Sequence, residues 1–329
     1  AFYTVVVCFM VVMRRQWMDH ERLLYPLTQV PLSMVQDGRS PGRPFLRQPA
    51  MWVGASVPCI LHGINGLSHY FEFIGTLEPS HWFTLVPNLV TLHLRFDCMW
   101  TGLAYLVNTS ITFSLWFFFL LAKLEQAFFV RIGVFNTEGL DIFSHTSHTG
   151  ILSHQVLGGM VVMVMLGLWT ARRHLWDVVQ HVWRNGDRSD AEELISYRVA
   201  VIGVLSGVAV MGCWLWSSGL SLWAVCLFLA AAFIIFFALT RMIVEGGLAA
   251  AVQGMSGCGV LVSSLGSTAL GVKAVVASGM TLAWAGDLLV FMMAPCANGI
   301  RMLHGLGRYR RRILVMMALA MGIGLVGGV

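Results

Sequence analysis

The run LSLWAVCLFLAAAFIIFFALT, residues 220–240, carries no charged side chain, and Arg241-Met-Ile-Val-Glu245-Gly246-Gly247 follows it directly. A helix needs about 20 apolar residues to cross the roughly 30 Å hydrocarbon layer of a bilayer. This run is long enough, and its ionisable residues wait at one end, so it reads as a membrane-crossing helix. The rest of the chain agrees. Of 329 residues, 57% are hydrophobic and only 11% are Asp, Glu, Lys or Arg, against about 25% charged in a soluble domain. The mean hydropathy is +0.74. That composition excludes a cytosolic enzyme, a nucleic-acid reader, a disordered chain and a disulfide scaffold. It leaves an all-α, polytopic membrane protein.

Apolar run length predicts about ten membrane-embedded segments: 1–13, 51–71, 85–107, 110–130, 150–171, 199–218, 220–240, 252–271, 274–297 and 313–329. The first and last are shorter than a full crossing, which suggests that residues 1–329 form one helical domain from the interior of a longer chain. Sixteen of the 21 Lys and Arg residues fall in 14–47, 172–198 and 298–312. Clustered basic residues beside apolar spans mark the cytoplasmic side. If each segment crosses once, all three clusters face the same side, as expected in a bacterial inner membrane.

Residues 14–50 are more than a loop. Arg14 to Tyr25 reads as an amphipathic helix ending before Pro26, because a residue preceding proline disfavours helix. Leu27 to Met34 is apolar again but interrupted by Pro31, which suits a re-entrant or interfacial element. Gly38, Pro41, Gly42, Pro44 and Pro49 then make a linker. Segment 172–198 reads as a surface helix followed by a second helix start, where Ser189-x-x-Glu192 fits a capping box. Residues 252–271 are rich in Gly and Ser, which permit close helix packing or a broken helix.

Charge inside a bilayer costs about 2.5–3.5 kcal/mol on insertion scales, so each instance calls for a reason. Arg241 and Glu245 are four apart and share a helix face. Glu245 is a candidate for binding a cation, a proton or a substrate amine, and the bland alternative is an interfacial ion pair. Gly246 and Gly247 permit a chain break. Asp287 lies alone within an apolar stretch and is a candidate coupling carboxylate or an interhelix hydrogen-bonding group. His62 and Asn65 either line a pathway or join helices. Lys123 with Glu125, and Arg95 with Asp97, are two apart and point to different faces, which favours structural roles.

His145, His148 and His154 form H-x2-H-x5-H, but helix capping accounts for them better than a metal frame. The seven cysteines are scattered, with no C-x-x-C pair, and read as small buried hydrophobes. The sequence contains no phosphate-binding G-x-x-x-x-G-K-[ST], no H-E-x-x-H and no G-x-S-x-G. Neither an enzyme nor a resident metal or cofactor is expected.

The run Arg14-Arg15-Gln16-Trp17-x-x-x-Glu21-x-Leu23-x-x-Pro26-x-x-Gln29-x-Pro31 resembles a stretch in an uncharacterised bacterial multi-span membrane family, DUF6785/DUF6784. Further similarity lies in Trp52-Val-Gly-x-x-x-Pro58, Ile64-Asn-Gly-Leu-x-His-Tyr70, Gly102-Leu-Ala-Tyr105, Phe113-Ser-Leu-Trp116-Phe and Arg241-Met-Ile-Val-Glu245-Gly-Gly247. More distantly, the first run resembles the oligopeptide transporter (OPT/yellow-stripe-like) superfamily. That resemblance implies a fold of about sixteen helices in two halves built on inverted repeats, and proton-driven transport of peptides or metal chelates.

These observations predict a cation-coupled secondary transporter of a small solute. Glu21, Gln29, Pro26 and Pro31 would form a gate element. Glu245 and Asp287 would be the coupling carboxylates, with Arg241 tuning Glu245, and Asn65 and His62 would line the path. The expected partners are the lipid bilayer, a small solute and a coupling cation, but no nucleic acid, with a homo-oligomer or a larger complex left open. The alternative is a non-transporting structural or accessory subunit of a larger membrane complex.

Overall fold

The computed structural model describes residues 1–36, 47–71, 73–77, 79–86, 90–134, 150–184, 195–251, 254–286, 291–305, 315–316, 319–320 and 322–324. They are mostly helical and divide into two compact units. The first comprises Ala1–Tyr25, Asn136–Glu245 and Ala250–Val329, and the second Pro26–Phe135 and Gly246–Ala249.

In the first unit, α1 (Phe2–Arg15) continues into a π-helical turn, Gln16–His20. Then come α6 (Gly150–Arg184), α7 (Tyr197–Ser217) and α8 (Leu222–Gly246), whose last residue belongs to the second unit. Four shorter helices follow: α9 (Gly257–Leu265), α10 (Ser267–Met280), α11 (Leu282–Ala285) and α12 (Met293–Gly305). The core forms around α8, where Phe228, Ile235, Phe236 and Leu239 are fully buried. Ring contacts tie α8 to its neighbours: Phe236 to Phe2 of α1 (5.4 Å between centroids), Phe228 to Trp284 of α11 (5.8 Å) and Phe237 to Phe9 (5.5 Å). α7 turns a stripe of Ala200, Gly207, Met211 and Leu215 inward. Gly203 and Gly207 lie directly against Cys8 and Val5 of α1. This small-x-x-x-small spacing lets two membrane helices approach closely. α12 packs on α1 as well.

The second unit contains α2 (Pro26–Gln36), α3 (Pro49–Ser68), an antiparallel hairpin of β1 (Ser80–Val86) and β2 (Val90–Arg95), α4 (Cys98–Ala104) and α5 (Thr109–Arg131). α3 and α5 bury no residue within the chain. On α5 alone, Phe113, Trp116, Phe117, Phe118, Phe119 and Phe128 are exposed. Water does not tolerate an apolar surface of that extent on a monomer, whereas lipid does.

Among the described residues, five helices are long and apolar enough to cross a membrane: Pro49–Ser68, Thr109–Arg131, Gly150–Trp183, Tyr197–Ser217 and Leu222–Gly246. Several predicted segments take another form. The described residues of segment 85–107 form strand and short helix rather than a crossing helix. Thr91-Leu92-His93-Leu94-Arg95 alternates polar and apolar residues at the strand period, and Asp97 caps α4 by accepting from the Met99 and Trp100 amides. Segment 252–271 is broken: Gly266 (φ 79°) separates α9 from α10, and Gly271 (φ 75°) kinks α10. Segment 274–297 is divided among α10, α11 and α12.

The predicted surface helix from Arg172 to Arg184 is instead the continuous end of α6. Its 35 residues reach about 52 Å, well beyond the hydrocarbon thickness. The predicted helix from Arg14 to Tyr25 stops at His20, and α2 runs unbroken through Pro31. Asp287, His145, His148 and the Ser189–Glu192 capping box lie outside the described residues.

Candidate ion-paired site at one end of the first unit

The π turn decides the local geometry. Its bond from Glu21 N–H to Gln16 C=O (2.8 Å) closes a wider ring than an α-turn. Residues five apart then share a face, and Gln16 Nε2 donates to Glu21 Oε1 at 2.8 Å. Gln16 Oε1 accepts from His20 Nδ1 at 3.2 Å. The chain turns back through Glu21–Tyr25 using two non-glycine residues in the left-handed region, Arg22 (φ 52°) and Tyr25 (φ 47°). Such residues cost of order 1–3 kcal/mol each and persist where surrounding contacts hold them. Tyr25 N–H donates to Val244 C=O (3.2 Å), and the Tyr25 ring is buried with the Arg301 guanidinium 5.7 Å from its centre. Burial raises the Tyr25 pKa above the ordinary tyrosine value, against the pull of Arg301 and Arg14.

The turn delivers Glu21 to Arg241. Arg241 Nη2 lies 2.8 Å from Glu21 Oε2, and Nε donates to Glu245 Oε2 at 3.3 Å. One guanidinium thus holds two carboxylates from distant parts of the chain. The pairs are unequal: the Glu21 side chain is 12% exposed and the Glu245 side chain 52%. The third edge, Arg241 Nη1, is buried without a hydrogen-bond partner among the described residues, as is Trp17 Nε1. Gly167 makes room for the guanidinium, since a Cβ there would stand 3.2 Å from Nη1.

The same end gathers the basic residues. His174 Nε2 donates to Val12 C=O (2.9 Å), His20 stacks edge-on to His174 (5.8 Å), and His174 contacts the Tyr197 ring (6.3 Å). Together with Arg301 at Tyr25, these contacts bring Arg14–Arg22, the end of α6, the start of α7 and the middle of α12 to one end of the unit.

The structure therefore joins Glu21, Arg241 and Glu245. Gln29 is exposed on α2, where Pro26 is buried at the first position and Pro31 lies inside the helix. Gly247 (φ 69°) faces Pro26, and a Cβ there would fall 2.7 Å from Pro26 Cγ. His62 and Asn65 sit near the end of α3 beside the hairpin. Asn65 clasps Leu77 by both backbone groups, accepting from N–H at 2.7 Å and donating to C=O at 3.1 Å. Lys123 reaches Gln126 (3.5 Å) rather than Glu125. His154 bonds Ser263 of α9 (2.8 Å). Among the described residues no group of three His, Cys, Asp or Glu is placed to hold a metal ion. Sequence reasoning missed Gln16, Trp17 and Gly167 as parts of this cluster. The spacing Gln16-x4-Glu21 carries no signal unless the π turn is foreseen.

A mostly helical architecture with five apolar helices of crossing length defines the class, a helical membrane protein. The whole chain, residues 1–329, matches the model of a family of unknown function, DUF6785, and the chain belongs to that family. No curated protein and no solved structure matches the chain.

Proposed function

We propose that the protein is a cation-coupled secondary transporter of a small solute, with the proton as the coupling ion. The observation that carries this reading is the shared guanidinium: Arg241 bridges a locked carboxylate, Glu21, and a half-exposed one, Glu245. Protonation or cation binding at Glu245 would release one edge of Arg241 and leave Glu21 as its remaining partner. The strained turn that carries Glu21 is the element such a change would bias. Breaks at Gly266 and Gly271 are the kind of discontinuous helix on which transporters build mid-membrane sites. The likeness of residues 14–31 to OPT transporters supports a peptide-like or metal-chelate solute. The basic end of the first unit would face the cytoplasm of a bacterial cell. No enzymatic step and no resident cofactor belong to this reading.

The test is uptake of tri-alanine and of ferric citrate into proteoliposomes under an imposed pH gradient. Uptake of one probe should depend on the gradient and fall at least tenfold in Glu245→Gln. Gradient-independent behaviour of both probes, or unchanged uptake in Glu245→Gln combined with Asp287→Asn, would overturn the proposal.

The absence of any buried residue on α3 and α5 favours a second reading, a structural subunit whose broad apolar faces pack on other chains. Size in mild detergent separates the two. A structural subunit migrates with stoichiometric partners, and a transporter migrates alone or with copies of itself.

A further inference from the structure

The β1–β2 hairpin has two unlike faces. Its register pairs Ser80 with Arg95, His81 with Leu94, Trp82 with His93 and Phe83 with Leu92. Side chains alternate along a strand, so Ser80, Trp82, His93 and Arg95 share one face, and His81, Phe83, Leu92 and Leu94 the other. The polar face, with His62 and Asn65 of α3, borders a cavity of about 450 Å3. That volume lies within the range of small-molecule sites.

The polar groups around it differ in what they have left to offer. Asn65 is used in holding Leu77, which fixes the approach to β1. Asp97 is the one acid among the described lining residues, and both its bonds go to backbone amides at the start of α4. Trp82 and His93 stack on each other, 4.1 Å apart and 13° from parallel, which stiffens that wall. Arg95 makes no hydrogen bond or ion pair among the described residues, and its fork of N–H donors borders the cavity. His62 likewise makes no hydrogen bond among the described residues. A guanidinium with no partner among the described residues, flanked by imidazoles and with one oxygen of the neighbouring carboxylate taken up by two backbone amides, favours an oxyanion.

We propose that this cavity binds the carboxylate or phosphate group of a small solute, with Arg95 as the charged anchor, His62 and His93 as flanking donors, and Trp82 and Phe96 as apolar walls. The site goes beyond the transport reading and does not rest on it, because binding is read at equilibrium without a gradient.

The experiment is calorimetric titration of the full chain in detergent with inorganic phosphate, succinate and the neutral diamide succinamide. Phosphate or succinate should bind saturably, and the stronger of the two identifies the source of the oxyanion. Succinamide should not bind, and Arg95→Gln should weaken the anion at least tenfold. Arg95 is exposed and has no partner among the described residues, so this variant should keep its circular dichroism and melting temperature. Equal binding of succinate and succinamide, undiminished anion binding in Arg95→Gln, or no heat from either anion at millimolar concentration would overturn the proposal.

Discussion

The Arg241 guanidinium lies 2.8 Å from the Glu21 carboxylate, joining the end of α8 to a turn far from it in sequence. Both side chains are largely removed from solvent, at 17% and 12% exposure, whereas Glu245 is half exposed and farther away at 3.3 Å. A hydrogen bond to a charged group contributes about 1.5–3 kcal/mol, and an exposed ion pair about 0–1. Arg241→Gln is therefore expected to cost about 2–3 kcal/mol, and Glu245→Gln less than about 1. The double variant Arg241→Gln with Glu21→Gln should cost less than the sum of the two singles, by about 1–2 kcal/mol. Unfolding of the four proteins in detergent measures this, and additive costs would show that the pair is not coupled.

The turn that presents Glu21 gives a second prediction. Arg22 holds φ 52°, a conformation that glycine adopts freely and an L side chain does not. Arg22 is exposed, so its side chain contributes little packing. Arg22→Gly should leave stability unchanged or raise it by up to about 1 kcal/mol, and Arg22→Val should lower it by about 1–2. Thermal melts in detergent decide this, and Arg22→Gly melting below the parent would show that the side chain matters more than the strain.

These two features mark how far the sequence could be read. The helices α3, α5, α7 and α8 were legible because a bilayer demands long unbroken apolar runs. The Arg241–Glu245 spacing was legible because four residues make one helical turn. The partnership of Arg241 with Glu21 was not, because nothing local links residues so far apart and the π turn that aims Glu21 has no spacing signature. The hairpin was concealed by its own composition: 85–107 is apolar on average, and only the alternation from Thr91 to Arg95 separates a strand from a span. The run rich in small residues showed that a break was permitted near 252–271, but not that Gly266 and Gly271 would carry it.

The seam between α1 and α7 yields a graded series. A Cβ on Gly207 would collide with the branched Val5 side chain and come within 3.3 Å of the Ala1 carbonyl. On Gly203 it would meet Cys8 Sγ. On Gly212 its nearest neighbour would be at 3.7 Å, and on Gly158 nothing lies within 4 Å. Overpacking costs about 1–3 kcal/mol, while alanine in an open helical position gains about 0.5–1 over glycine. Melting temperatures of the alanine variants should rise in the order Gly207, Gly203, Gly212, Gly158. A Gly207→Ala protein as stable as the parent would mean that α1 and α7 do not meet in this register.

Gly247 and Gly271 separate backbone strain from collision. Both have positive φ, 69° and 75°, so alanine at either is strained, and at Gly271, where ψ is 161° in a region essentially restricted to glycine, by about 1–3 kcal/mol. At Gly271 that is the whole cost, because nothing lies within 4 Å of the added carbon. At Gly247 the carbon would fall 2.7 Å from Pro26 Cγ and 2.8 Å from Cβ, and the pyrrolidine ring is tied to its own backbone and cannot swing aside. Gly247→Ala must therefore displace the start of α2 or unseat its own turn, at about 1–3 kcal/mol beyond the strain. Pro26→Ala should recover part of that excess in the double variant by removing ring atoms, while doing nothing for Gly271→Ala. Limited proteolysis near residue 26, with melting temperature, reads both effects. No rescue of Gly247→Ala by Pro26→Ala would show that Gly247 is held by conformation alone.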